Sequence, residues 1–390
     1  MKIAVFCKAP FPEGTAASTY VLNVCRVMQS CGHEVTVFGC LRNKPARFPV
    51  NGEIDGIAYR NFPAFQKNKL LVYLYDNCWG EYIVNTLSRQ RGVDIAFLCG
   101  GLVKEAKKVN AYCKRKGILY GAFNSEWYTP ESFSSSVKKS YVEQATGLIP
   151  YNATHADVAI QISTLLTEHF QKNGVRTVMM PNIVDLTDPK WNGRKSAPAG
   201  DILKLAYAGV PGVGKDELGT VIEAMTMLPE AYRKKVELNI YGPTQAKLQE
   251  YLNMVGVAHI PDTVICHGRK NQNEIPALLN DCHYTVLIRK PSLRTNAGFS
   301  TKMVESFAAG LPMIANVTGD IGTYLKDGVN GVVVADDTAQ ACRDALIRAV
   351  DLLPSNQSMR QAAIATAQEH FDYRGYIGQM QQFLQSVKKN

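Results

Sequence analysis

The sequence predicts an α/β protein of two domains, each built on a parallel β-sheet covered by helices. Its 390 residues exceed what one hydrophobic core usually holds, so two domains of similar size are expected. In both halves, short runs of apolar and β-branched residues alternate with amphipathic stretches. Such strands are typical of a parallel sheet, because crossover helices bury both of its faces. With 46% hydrophobic and 20% charged residues, the composition excludes disordered, collagen-like and disulfide-scaffold classes.

Residues 1–185 form the first predicted domain, a Rossmann-like unit. Helical patterns at residues 17–31 and 103–116 separate its apolar runs. The predicted strands are residues 2–7, 34–39, 93–99, 118–124, 157–162 and 177–181.

A polar stretch rich in Pro and Gly, residues 186–201, lacks apolar periodicity and predicts an exposed linker. The alternation then restarts and predicts a second Rossmann-like domain over residues 202–370, with helices that include 217–228 and 339–353. Its predicted strands are residues 203–208, 236–241, 264–267, 284–288, 313–316 and 331–334.

The last stretch, residues 371–390, predicts a helix that packs back on the first domain. Open α/β sheets bind ligands beyond the carboxyl ends of their strands. We therefore expect the two sheets to face an interdomain cleft, with the functional groups in loops that follow strands.

Cysteine usage and hydropathy predict a cytoplasmic protein. The ten cysteines form no C-x-x-C pair, and most lie in apolar runs, as small core residues do in a reducing compartment. No stretch approaches the roughly 20 apolar residues of a membrane span. The N-terminus enters a predicted strand directly, so no secretory signal is expected.

The formal charge of +9 is uneven along the chain. Residues 1–185 carry 21 Lys and Arg against 14 Asp and Glu. Six of these cations lie on one predicted helix: Lys104, Lys107, Lys108, Lys114, Arg115 and Lys116. Such a face is attracted to anionic lipid, so we expect peripheral contact with the inner face of a membrane and no nucleic-acid partner. A solvated basic surface is the alternative.

Two Gly-containing turns follow predicted strands and precede predicted helices. Gly14 lies in the first and is a candidate donor-binding residue, because helix-start amides can meet an anion there. A turn that simply joins a strand to a helix is the alternative. The second, residues 209–215, nearly matches the phosphate loop G-x-x-x-x-G-K-[ST]. Asp216 replaces the hydroxyl that would hold magnesium, which disfavours a phosphate-loop NTPase. Gly209, Gly214 and Lys215 can still bind a diphosphate without metal; a solvated helix-start turn is the alternative.

Residues 287–312 combine basic, small and acidic positions around one predicted helix start. Arg289 follows a strand, where its guanidinium can neutralise a leaving diphosphate. Helix-start amides suit a pyrophosphate, and a carboxylate one turn deeper suits a ribose diol. The residues assigned here to donor binding are Arg294, Ser300, Thr301, Lys302 and Glu305.

This segment resembles the donor-site signature of the family-4 retaining glycosyltransferases, E-x(7)-E followed by A-x-G-x-P-V. Glu305 and residues 308–312 match the second half of that signature, and further similarity extends over nearly the whole chain, for example at residues 32–35, 181–185 and 327–331. The resemblance implies the GT-B fold, a nucleotide-sugar donor and transfer with retention and without metal or cofactor. It also implies that Lys215 binds the donor diphosphate and Glu305 the ribose.

Three positions depart from the family pattern. Ala297 replaces the first acid of E-x(7)-E, and Val210 stands where an Arg is common. No His follows the fourth strand, where Glu126 is the nearest ionisable group and a candidate acceptor contact; a structural carboxylate is the alternative. The catalytic candidates are Lys215, Arg289 and Glu126.

The sequence thus predicts a retaining glycosyltransferase that moves a sugar to a glycan, lipid-linked or other acceptor. A nucleotide-sugar epimerase or phosphorylase on the same fold is one alternative. A non-catalytic protein that binds sugar or nucleotide is another. The donor sugar, the base, the acceptor and the oligomeric state stay open.

Overall fold

The computed structural model of the protein describes residues 1–41, 50–62, 78–212 and 214–387. The chain divides into two compact units. The first comprises Met1–Ile183 and Tyr373–Asn390, and the second comprises Val184–Asp372. Each unit has one β-sheet covered by helices, which confirms the predicted α/β class with two Rossmann-like domains.

The sheet of the first unit has the strand order β3-β4-β2-β1-β5-β6-β7-β8. Every neighbouring pair is parallel except β3 and β4, which are antiparallel. The strands are β1 (Lys2–Cys7), β2 (Glu34–Cys40), β3 (Asn51–Ile54), β4 (Ile57–Phe62), β5 (Ile95–Cys99), β6 (Leu119–Asn124), β7 (Val158–Gln161) and β8 (Arg176–Met179).

The two strands at one edge of this sheet, β3 and β4, lie outside the strands that the sequence predicts. In β4 buried and exposed residues alternate, with Ile57 and Tyr59 buried and Ala58 and Arg60 exposed. Such a half-exposed strand lacks the continuous apolar run that predicts the central strands.

Helices cover the sheet of the first unit, and the C-terminal helix is one of them. Arg176 Nη1 donates a hydrogen bond of 2.7 Å to the carbonyl of Ser386 in that helix. The α-helices are Ala16–Ser30, Trp79–Arg89, Val103–Lys116, Lys139–Thr146, Leu148–His155, Thr164–Lys172 and Ile377–Val387.

The sheet of the second unit is parallel throughout, with the strand order β11-β10-β9-β12-β13-β14. Its strands are β9 (Leu203–Ala208), β10 (Val236–Tyr241), β11 (Val264–Gly268), β12 (Tyr284–Leu287), β13 (Met313–Asn316) and β14 (Gly331–Val334). Its α-helices are Leu218–Thr226, Glu230–Arg233, Gln245–Met254, Ile275–Leu279, Leu293–Ala297, Thr301–Ala308, Ile321–Tyr324, Ala339–Asp351 and Asn356–His370.

Residues 186–201, the predicted linker, pack within the second unit. Trp191 is 2% exposed, and its Nε1 donates a hydrogen bond of 2.9 Å to the carbonyl of Asp185. Arg194 Nε donates to the carbonyl of Ala308 at the end of helix Thr301–Ala308. The segment therefore contributes an aromatic core residue to this unit, which its polar composition does not indicate.

The order of strands in the second sheet determines where a ligand can bind. From β9 the chain proceeds outward through β10 and β11, then crosses to β12 on the other side of β9. The loops after β9 and β12 therefore diverge, and this point in an open α/β sheet is where ligands bind. In the first sheet the same reversal occurs between β1 and β5.

Candidate functional site

Most of the predicted site residues lie at the carboxyl ends of β9 and β12. Gly209 directly follows β9, and Arg289 lies two residues beyond β12. The backbone N–H of Glu217 donates a hydrogen bond of 2.8 Å to the carbonyl of Ile288, which ties the loop after β9 to the end of β12. Helix Thr301–Ala308, which follows β12 along the chain, adds Lys302.

Asp216 accepts hydrogen bonds from both cations, Arg289 and Lys302. Its Oδ1 accepts a hydrogen bond from Arg289 Nε at 3.2 Å, and its Oδ2 accepts one from Lys302 Nζ at 2.7 Å. Tyr207 Oη also donates to Oδ2, at 3.3 Å. Asp216 is only 3% exposed and Arg289 only 6%. Because a buried charge is costly unless it is paired, the three charged groups form one structural unit.

The charges in this cluster do not cancel. Burial alone would raise the pKa of Asp216, but the charges of Lys302 and Arg289, together with Lys215, lower that pKa below its ordinary value. Asp216 is therefore ionised at neutral pH. With Lys302 and Arg289 it leaves one positive charge in excess, beside the further cation of Lys215.

Gly209 allows the Lys302 side chain to lie against the backbone. Its φ of 143° is in the region that favours glycine, and a Cβ atom there would lie 3.0 Å from Lys302 Nζ. Lys302 Nζ also lies 5.2 Å from the centroid of the Tyr207 ring. The glycine, the aromatic face and the Asp216 carboxylate together fix the position of this ammonium group.

The start of helix Thr301–Ala308 adds backbone donors beside the ammonium group. Ser300 caps the helix, because its Oγ accepts the N–H of Met303 at 3.2 Å. In an α-helix the N–H groups of the first residues, here Thr301 and Lys302, have no carbonyl partner within the helix. The helix dipole makes this end positive, so it favours an anion.

Glu305 lies one turn further along the same helix and is half-buried. Burial raises the pKa of its carboxyl, while the charges of Lys302 and Lys190 act in the opposite direction. Glu305 and Lys302 also line one small cavity beside Ala206 and Ala208. A carboxylate acceptor and an ammonium donor thus face the same space.

Three further predicted residues of the second unit lie near these residues along the chain: Gly214, Lys215 and Arg294. Gly214, with a φ of 73°, forms a turn in which its N–H donates to Glu217 Oε1, and Lys215 follows it half-buried. Arg294 is half-buried in the short helix Leu293–Ala297.

Gly14 and Glu126 belong to the first unit, whereas the other nine predicted site residues belong to the second. Gly14, with a φ of 114°, precedes helix Ala16–Ser30, which Thr15 caps through the N–H of Ser18. Glu126 is half-buried, two residues beyond β6. Both residues follow strands of the first sheet, as the sequence predicts.

The sequence does not predict two polar partners of the site, Asp216 and Asn316. In the sequence, Asp216 stands out only as a departure from the phosphate loop, although the buried guanidinium of Arg289 and the half-buried ammonium of Lys302 require an anion close by. Asn316, at the end of β13, accepts the N–H of Arg289 at 2.8 Å and donates to its carbonyl at 2.7 Å. The sequence does contain a signal for Asn316, because it is a polar residue at the end of an otherwise apolar strand.

The first unit carries a basic groove of about 850 Å³ between helices Trp79–Arg89 and Val103–Lys116. Glu81 forms an ion pair with Lys108. Three further cations line the groove, so its net charge is positive. The charged and polar side chains that line the groove are Glu81, Asn85, Ser88, Lys104, Lys107, Lys108 and Arg115. Lys114 and Lys116 are exposed on the same helix but do not line the groove.

Within residues 1–41, 50–62, 78–212 and 214–387, no three His, Cys, Asp or Glu residues group in a way that could hold a metal ion. No helix in the described part of the chain combines the length and the apolar character needed to cross a membrane.

Several solved structures share this fold over nearly their full length. Sucrose-phosphate synthase from Thermosynechococcus elongatus is 14% identical, with a TM-score of 0.72 over 99% of this chain and 98% of its own. HepE from Anabaena, in complex with UDP and glucose, is 17% identical, with a TM-score of 0.68 over 99% and 100%. The trehalose 6-phosphate synthase of Burkholderia multivorans is 13% identical, with a TM-score of 0.67 over 99% of each chain.

The fold is that of the GT-B glycosyltransferases, and the sequence of the second unit places a glycosyltransferase domain within it. Residues 215–368 match the family model of the group 1 glycosyl transferases, so the second unit carries a domain of that family. No curated protein matches the sequence.

Proposed function

We propose that the protein is a retaining, metal-independent glycosyltransferase that moves a sugar from a nucleoside-diphosphate sugar to a glycan, lipid-linked or other acceptor. The observation that carries this proposal is the cluster of Lys302, Arg289 and Asp216 at the start of helix Thr301–Ala308, with Glu305 one turn beyond. A diphosphate matches the excess positive charge, and a ribose diol matches the carboxylate. UDP and glucose in the HepE complex support this class of donor.

In the proposed reaction the bond between the anomeric carbon and the phosphate oxygen breaks while the acceptor oxygen bonds to that carbon. The acceptor proton passes to the leaving phosphate, so no residue of the protein must act as the base. The chain contributes position and charge: Lys302, Lys215 and the helix-start amides stabilise the negative charge that grows on the diphosphate. One cation 4 Å from a unit negative charge stabilises it by about 4 kcal/mol at an effective dielectric of 20, before the cost of desolvation.

Arg289 acts in this proposal from beneath the site. Its guanidinium is buried against Asp216, so it adds positive potential and fixes the loop after β12 rather than wrapping the ligand. The first unit supplies Glu126, in the loop after β6, as a group for the acceptor. No cofactor takes part.

A calorimetric titration with UDP, GDP, ADP and CDP tests the proposal. One of these nucleotides should bind, and its sugar should be transferred with retained configuration in the presence of a chelator, because cations of the chain replace a metal at the diphosphate. Absence of binding by all four nucleotides would refute the donor site. Binding without transfer to any acceptor in an extract would favour the non-catalytic alternative, and release of an epimer from donor alone would favour an epimerase.

We further propose that the protein acts in the cytoplasm, with the basic groove of the first unit held against anionic lipid headgroups. The groove presents Lys104, Lys107, Lys108 and Arg115 against the single acid Glu81, so its charge complements a phosphate-rich surface. Each cation near such a surface adds about 1 kcal/mol, so a few are enough for reversible binding.

Replacing Lys104 and Lys107 with serine should weaken binding to phosphatidylserine vesicles about thirtyfold at low salt, since two cations of about 1 kcal/mol each are lost. Co-sedimentation measures the effect, and neutral vesicles should bind neither protein. Replacing Lys139 and Lys172, two exposed lysines of the same unit outside the groove, is the control with the same change in charge. Equal losses in both double variants would show attraction by net charge alone.

A further inference from the structure

We propose that Asp216 is a positioning residue that limits how tightly the site holds a nucleoside diphosphate, and so sets the rate at which this product leaves. The inference rests on the proposed function. The carboxylate fixes the Lys302 ammonium and the Arg289 guanidinium through hydrogen bonds of 2.7 and 3.2 Å, and offsets one of their two charges.

Burial shows that Asp216 acts through its partners. Its side chain is 5% exposed, whereas the side chain of Lys302 is 23% exposed. A ligand at the start of helix Thr301–Ala308 can therefore reach the ammonium group, while the carboxylate stays beneath it. Its oxygens accept hydrogen bonds from Lys302, Arg289 and Tyr207, which leaves the carboxylate fully engaged with the protein.

The carboxylate has two opposing effects on a bound diphosphate. It holds the cations in place before the ligand arrives, which removes an ordering cost from binding. It also repels the ligand, because a buried negative charge lies directly behind the ammonium group, where the low dielectric reduces screening. Repulsion grows with the charge of the ligand, and the ordering effect does not. The net influence of Asp216 should therefore increase from a nucleoside through its monophosphate to its diphosphate.

A purely structural role for Asp216 gives the opposite expectation. Loss of a structural ion pair leaves Arg289 and Lys302 less ordered, so every ligand would bind as before or more weakly. Tighter binding that is confined to charged ligands is a result that only the electrostatic role produces.

The test is a calorimetric titration of the whole chain and its Asp216→Asn variant with the nucleoside, monophosphate and diphosphate of the base that the wild-type protein selects. We expect the affinity for the diphosphate to be at least about tenfold higher in Asp216→Asn than in the wild type. The affinity for the monophosphate should rise by less, and that for the nucleoside should not change. Stopped-flow dissociation of the diphosphate should slow by a similar factor, and kcat should fall with it.

Asp281→Asn is the matched control, because Asp281 forms an ion pair of 2.6 Å with Lys195 on the exposed surface of the same unit. It should leave all three affinities unchanged. Equal diphosphate affinity in Asp216→Asn and wild type would overturn the inference while leaving the donor site intact. Failure of the wild-type protein to bind any nucleotide would overturn the proposed function, and this inference with it.

A second comparison covers the case in which Asp216→Asn does not fold. Lys302→Met removes one cation, and the double variant Asp216→Asn/Lys302→Met removes one charge of each sign, which restores the net charge of the wild-type cluster. The double variant should bind the diphosphate more tightly than Lys302→Met alone. Equal or weaker binding by the double variant would contradict the repulsive role of Asp216.

Discussion

Replacing Lys302 with methionine is expected to lower kcat/KM for sugar transfer by about 10²–10³-fold, the range seen when one preorganised donor to developing charge is removed. Methionine preserves the length and apolar stem of the side chain and removes the ammonium group, with its contact to the Tyr207 ring. The variant leaves Asp216 with Arg289 as its partner, and the net charge of the cluster falls from +1 to zero. Steady-state kinetics with the selected nucleotide sugar measure the loss.

The expected loss should divide unevenly between binding and turnover. Charge on the leaving diphosphate grows as the sugar–phosphate bond breaks, so kcat should fall by more than KM rises. Lys302→Arg should recover part of the activity, because it keeps the charge but not the compact geometry. Lys247→Met, an exposed lysine in helix Gln245–Met254, is the control. Unchanged kcat in Lys302→Met would remove this ammonium group from the proposed mechanism.

The central architecture follows from the sequence because its determinants are local. Every strand of the second sheet matches a predicted apolar run, and four of these six strands have the predicted bounds: Leu203–Ala208, Val236–Tyr241, Met313–Asn316 and Gly331–Val334. A strand buried on both faces must be apolar throughout, and this constraint is visible in a few consecutive residues. In strand β4 one face is exposed, so polar residues are tolerated there and the apolar run is interrupted.

The composition of the cluster was predictable only in part. The sequence predicts Lys302 and Arg289 as site residues because Arg289 follows a strand and Lys302 lies at the start of a helix, which are local features. Their partner Asp216 lies 86 residues from Lys302 and 73 from Arg289. Nothing in the spacing of one sequence pairs residues across such distances, since the pairing arises from the order of strands in the sheet. The same holds for Asn316, which fixes the Arg289 backbone from a neighbouring strand.

The buried Trp191 illustrates a third kind of difference. Its neighbours are polar and rich in Pro and Gly, which predicts exposure of the whole segment. One aromatic side chain is nevertheless sufficient to anchor the segment, because it buries a large apolar area and its Nε1 finds a backbone acceptor in Asp185. Local composition describes the average residue of such a segment and misses the single residue that packs.

Glu305→Ala is expected to weaken nucleotide binding by about ten- to a hundredfold, since a charged hydrogen-bond partner contributes roughly 1.5–3 kcal/mol. Alanine has high helix propensity, so helix Thr301–Ala308 should form in the variant. Glu250→Ala, at an exposed position of helix Gln245–Met254, is the control and should bind as the wild type does. Calorimetry with the selected nucleoside diphosphate measures the affinity.

Two further comparisons identify the ligand group that Glu305 contacts. If the carboxylate accepts hydrogen bonds from the ribose, removing the 2′-hydroxyl of the nucleotide should weaken binding to the wild type but not to Glu305→Ala. The pH dependence provides the second comparison: burial raises the pKa of Glu305, so wild-type affinity for the uncharged nucleoside should fall as the pH decreases through this raised value, where the carboxylate becomes protonated. In Glu305→Ala this decrease should be absent. An equal penalty for the deoxynucleotide in both proteins would place the ribose elsewhere and assign Glu305 only a structural role in its helix.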